Sequence, residues 1–306
     1  MSFAATALLG AIAGSTIFLG LPLARASALT TRARVGLSML SAGILAFLFM
    51  DVGAEGLGIV ETHLDAFKEG DASLWPVIGL FALLSAGFLA GVGGVATVQR
   101  RLGSRTSPHP PMAGGESTAM LSAGELADHR RVVSAVKARA LRTGMVIATA
   151  IGLHNFAEGL AIGVSAKAGE IGLATVLIIG FALHNATEGF GIVGPLGDVV
   201  PSWRWLVGVG LIAGGPTLLG SIVGYQVTSE PLELAFYALA AGAIIYVIGE
   251  IWHAMRRYGY RELGLLALSV GFSAGVLTDL VVAYGGGCAA DRPTTASRRR
   301  AILRRR

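Results

Sequence analysis

Eight stretches of the 306-residue chain are long and apolar enough to cross a lipid bilayer, at about 3–24, 35–60, 74–98, 143–164, 171–196, 204–227, 233–253 and 262–285. A crossing needs about 20 mostly apolar residues, because a rise of 1.5 Å per residue must cover a hydrocarbon layer of about 30 Å. No water reaches backbone N–H and C=O groups in that layer, so each stretch must close its own hydrogen bonds as a helix. The expectation is therefore an all-α polytopic membrane protein, eight transmembrane helices in one bundle. Charge supports it: charged residues are 14% of the chain, against about 25% in soluble proteins. The 44 glycines suit helices that pack closely in lipid, where small residues let backbones approach. Ala24, Ala26 and Ala28 would offer small residues for signal cleavage after the first stretch. A signal peptide carries its positive charge before the apolar run, however, and the first basic residue is Arg25. The first stretch is accordingly read as a span.

This divides the chain into spans one to three (1–98), a flexible basic loop (99–142) that includes a helical-looking segment at about 125–140, spans four to eight (143–285) and a disordered basic tail (286–306). Lys and Arg concentrate in alternate connections: Arg25, Arg32 and Arg34; Arg100 to Arg142; Arg204; and Arg256, Arg257 and Arg261. The intervening connections carry Lys68 and Lys167. The positive-inside rule places the first set in the cytoplasm and both termini outside. The tail, with Arg298 to Arg300 and Arg304 to Arg306, opposes that assignment; the internal loops are followed because their bias repeats over several connections. The basic residues serve topology, so no nucleic-acid partner is expected. The location is a cell inner or plasma membrane, multi-pass. Trp75, Trp203 and Trp252 lie at span ends, as interface anchors do.

Two spans contain nearly the same polar string, LHNFAEG at 153–159 and LHNATEG at 183–189. Each sets a His and a Glu at i and i+4, neighbours on one helical face, with Asn beside them. Both strings fall near mid-bilayer, and a short connection makes the two helices antiparallel neighbours. His154, Asn155 and Glu158 should thus meet His184, Asn185 and Glu188. An ionised side chain at the centre of a span costs about 2.5–3.5 kcal/mol, so two Glu represent about 5–7 kcal/mol. Apolar packing does not require that expense, whereas a divalent cation bound by imidazole and carboxylate would offset it. An interhelical hydrogen-bond network is the competing explanation, and it accounts better for a single polar residue than for a duplicated motif. The single cysteine, Cys288, excludes disulfides and Cys-based zinc clusters.

With these strings, the chain resembles the ZIP (Zrt/Irt-like) family of divalent metal transporters, in particular its bacterial GufA-like branch. The resemblance covers about spans two to eight and rests mainly on HNFAEGLAIG and HNATEG. It implies that His154, Asn155, Glu158, His184, Asn185 and Glu188 match the family's transport-site ligands. It also implies that a bundle bearing the site slides against a static scaffold. Ala157 and Thr187 stand where the family usually has Pro, which restores a backbone donor and reduces the kink. In span six, Ala213-Gly214-Gly215-Pro216 lacks the Glu that bacterial members often place before the Pro. One strong metal position is therefore expected, with at most a weak neighbour. His109 and His129 are the histidines of the central loop, unlike the His-rich loop of many relatives.

Other polar residues outline a path. Asp51 and Glu55, near the outer end of span two, and Asp279, near that of span eight, could form an entrance; Glu250 and His253, near the inner end of span seven, could receive an outgoing ion. Interfacial side chains reaching for water are the plainer alternative. The leading expectation is uptake of Zn²⁺, or of a related ion such as Fe²⁺, Mn²⁺ or Cd²⁺, into the cytoplasm. No prosthetic group is expected, and no G-x-x-x-x-G-K-S/T string for ATP occurs. The partners are the metal ion and the bilayer; a homodimer is left open. The rival is a membrane-embedded metal-dependent hydrolase. It is disfavoured because H-E-x-x-H is absent and the matched repeat suits a pathway more than a one-sided active site.

Overall fold

The computed structural model describes residues 1–26, 30–102, 123–167, 182, 184–226 and 229–285. Described residues form helices and short connections, with no strand among them. In chain order the helices are α1 (Phe3–Ser15), α2 (Thr31–Lys68), α3 (Trp75–Leu102), α4 (Ala123–Lys167), α5 (184–193), α6 (Trp203–Gln226), α7 (Glu230–Arg256) and α8 (Arg261–Gly285). After Thr16, α1 resumes as a short helix, Ile17–Gly20, and a 3-10 turn, Leu21–Arg25. Among the described residues, seven helical segments are long and apolar enough to cross a membrane. For the expected span 171–196, residues 171–181 and 183 lie outside the described residues, as do 103–122 of the expected loop and the tail 286–306.

Local chemistry sets the ends. Ser2 and Thr30 cap α1 and α2, their side chains accepting from the Ala5 and Ala33 amides, which satisfies donors that a helix start leaves open. The far end of α2 runs past the apolar stretch to Lys68, where Gly70 adopts φ 81° and the Asp71 amide returns to the Ala66 carbonyl. At 38 residues, or about 57 Å, α2 outruns the hydrocarbon layer. Residues 123–142, assigned from sequence to the basic loop, form the first part of α4, and the helix then continues unbroken through Ala157.

The helices sort into two groups by their packing. α4 packs along α6, and α1 along α6; separately, α2 packs along α8 and α7, and α3 along α7. The groups meet chiefly where α4 crosses α7. Within the first group the contact is backbone to backbone: a Cβ at Gly159 would strike the Thr217 carbonyl, and one at Gly220 the Phe156 carbonyl. Small residues permit this approach, and lipid gives no hydrophobic drive to replace it. Between the groups, by contrast, side chains meet. Ala157 of α4 sits with Val52, Tyr237, Ala240 and Ala241, and Phe156 lies 4.7 Å from Phe236 between ring centres. Large apolar side chains face outward elsewhere, among them Phe81, Leu89, Leu211 and Leu266, as helices solvated by lipid require. Trp75 and Trp203 are exposed at helix starts, whereas Trp252 is partly covered against the core.

Candidate metal site

The two motifs meet inside the bundle. All six polar side chains, His154, Asn155, Glu158, His184, Asn185 and Glu188, are buried. Helical spacing puts His154 one turn from Glu158 within α4, their Nε2 and Oε1 atoms 2.9 Å apart. Across to α5, His184 Nε2 lies 2.5 Å from the same Glu158 oxygen. Glu188 stands farther off, with 3.9 Å between its Oε1 and His154 Nε2. His154, Glu158 and His184 each present a ligand atom within 4.8 Å of the others. A buried carboxylate held between two imidazoles gives an O,N,N donor set that suits a borderline cation such as zinc.

The asparagines use half of their capacity elsewhere. Asn155 Nδ2 donates to the Ala213 carbonyl of α6 at 3.0 Å, and Asn185 Nδ2 donates to the Ala13 carbonyl of α1 at 3.2 Å. Their Oδ1 atoms are buried without a hydrogen-bond partner among the described residues, as are Glu158 Oε2 and both Glu188 oxygens. Native proteins seldom leave so many buried acceptors unpaired at one place. Each unpaired acceptor there has the chemistry of a cation ligand. Sequence reading overlooked the two carbonyls. No side-chain pattern signals them, although Ala13 precedes the break of α1 at Thr16, where helical bonding is interrupted.

The expected path residues divide. Asp51, partly buried on α2, lies within Coulombic reach of His154 and His184 on one side and of Asp279 and Glu55 on the other. Tyr237, unremarked in the sequence, is buried within reach of Asp51 and Glu55, and its hydroxyl donates to Glu233 Oε1 at 2.9 Å. Asp279 and Glu55 are exposed. At the opposite end of α7, Glu250 is partly buried near Tyr246, and His253 is exposed. Neither joins the His and Glu cluster. His109 lies outside the described residues, and nothing is described of the His129 side chain.

No family model matches the chain. Among curated proteins it is 25% identical over 235 residues to a "Zinc transporter ZupT" of Clostridium perfringens, covering 74% of this chain and 82% of that one. It is 29% identical over 146 residues to a "Zinc transporter ZIPB" of Bordetella bronchiseptica, covering 46% and 47%. Both likenesses are to proteins named as zinc transporters, and the paired motifs that the fold brings face to face accord with the resemblance to the ZIP family.

Proposed function

We propose that this protein carries zinc across a cell inner or plasma membrane into the cytoplasm, with His154, Glu158 and His184 as the central ligands and Glu188, Asn155 and Asn185 completing the site. One observation carries the reading: a buried carboxylate is shared by two imidazoles from two helices, amid unpaired acceptor oxygens. The curated relatives are named for zinc, which favours zinc over Fe²⁺, Mn²⁺ or Cd²⁺ and a transporter over the hydrolase. Asp51, Glu55 and Asp279 would draw cations toward the site by their charge, and Glu250 and His253 would meet the ion at the inner end of α7. With no carboxylate at Ala213 to Pro216, one tightly held ion is proposed.

Direction follows from energetics and the loop charges. An inside-negative potential favours inward movement of a divalent ion by about 4.6 kcal/mol per 100 mV. The test is zinc uptake into sealed vesicles under an imposed potential. Uptake should follow the potential and vanish in Glu158→Ala; a wild-type rate in that variant would refute the assignment.

A further inference from the structure

The face of α5 that carries His184 and Glu188 continues through Gly191 to Gly194, at the start of a 3-10 turn. These glycines lie against α2. A Cβ at Gly191 would come 2.7 Å from Ser41 Oγ, and one at Gly194 would collide with Ser38 Oγ. Ser38 and Ser41, at i and i+3, are 1% and 0% exposed, and neither hydroxyl has a hydrogen-bond partner among the described residues. Serine and threonine inside a helix normally return the hydroxyl to a carbonyl three or four residues back, as Thr149, Ser221 and Thr278 do here. Close packing alone would be served by Gly or Ala, so two unpaired hydroxyls aimed at a glycine stripe call for an occupant. Beyond Gly194 the seam ends in a small hollow of about 20 Å³, lined in part by Arg34, Ser38, Val193 and Gly197. There Arg34 Nη1 bonds Asp198 Oδ1 at 2.9 Å.

We propose that the α2–α5 seam is the release route for the ion. Ser41 and then Ser38 act as successive neutral oxygen ligands, and the Arg34–Asp198 pair closes the inner mouth. The proposal rests on the transport reading above. Neutral hydroxyls replace part of the hydration shell without the charge that would trap a divalent ion, the balance that conduction needs. Glycine opposite each hydroxyl keeps side chains out of the seam, but the packing leaves no space even for a Cβ, so the ion passes only when α5 moves away from α2. While paired, Arg34 presents a cation to a cation and seals the mouth; parted, Asp198 offers a carboxylate at the surface, where its side chain is fully exposed.

The experiment uses the full chain with Cys288→Ser, so that Ser38→Cys or Ser41→Cys supplies the one thiol. Membrane vesicles of both orientations are treated with an impermeant maleimide, with and without zinc. Both thiols should react from the side that carries Arg34, and zinc should slow the reaction. A Ser38→Ala/Ser41→Ala chain, which removes two oxygens and adds no bulk, should lose about tenfold in zinc flux, the equivalent of about one lost polar contact, while equilibrium zinc binding at the central site is unchanged. Thiols closed to the reagent from that side, labelling indifferent to zinc, or full flux in the double alanine chain would each overturn the route. If flux is also full in Glu158→Ala, the site reading itself has failed; if Glu158→Ala is dead and the serine variants transport normally, the seam alone has.

Discussion

The motifs of α4 and α5 are almost the same string in different surroundings. Glu158 engages both imidazoles, at 2.9 and 2.5 Å, whereas Glu188 approaches His154 no closer than 3.9 Å. Asn155 is tied to Ala213, beside the proline of α6, while Asn185 is tied to Ala13, whose carbonyl also accepts from the Thr16 hydroxyl at 2.7 Å. A duplicated sequence has therefore produced an asymmetric site. Packing partners, not the motif, decide which carboxylate is shared.

The largest test of that asymmetry substitutes each carboxylate by its amide. Glu158→Gln should weaken zinc binding by at least about 100-fold, the upper end for groups outside the ligand shell, and Glu188→Gln by about tenfold. Equal losses, measured by zinc titration of purified protein, would break the comparison. Protons should erode it next, because imidazole and carboxylate must both be unprotonated to bind metal. Affinity should fall as pH falls, by about tenfold per unit for each proton displaced. Glu158→Gln should flatten that slope more than Glu188→Gln, since Glu158 is the carboxylate between the two histidines.

Smaller effects are expected from the asparagines. Asn155→Ala removes a buried bond between α4 and α6 and should lower stability by about 1 kcal/mol, between the average of about 0.6 and the maximum of about 1.7 kcal/mol for such bonds in membrane helices. Asn185→Ala should cost less, because Thr16 still serves Ala13; thermal unfolding of the two variants in detergent would show the order. Smallest of all is the exposed counterpart of the buried pair. His63 and Glu230 approach to 2.6 Å with side chains 33% and 49% exposed, so water screens them and Glu230→Gln should shift stability by less than about 1 kcal/mol without affecting zinc binding. A large effect there would mean that burial is not what distinguishes the central cluster.

Much of this site was legible in the chain. The i and i+4 spacing puts His and Glu on one face of any helix, and matched depth brings the two faces together, as His184 and Glu158 show. Helix lengths were harder to read, because caps lie outside the apolar runs: α2 extends to Lys68 and α4 begins at Ala123, where polar residues continue a helix that hydropathy alone would end. The carbonyls of Ala13 and Ala213 were invisible, since every residue carries a carbonyl and only three-dimensional placement selects two of them. Nothing in the sequence sets Ser38 and Ser41 apart from the other small residues of an apolar span. Their missing partners appear only with Gly191 and Gly194 opposite.

By itself the sequence determined that the chain must fold as membrane helices, because lipid leaves a backbone no other way to satisfy its polar groups along spans this apolar. It also determined that two mid-span carboxylates need a compensating partner, because an isolated charge there is too costly. The tertiary structure alone decided how the helices group, which Glu is shared by two histidines, and where unpaired oxygens line a seam. Those outcomes depend on which backbones can touch, and that is settled where glycines of helices far apart in the chain meet.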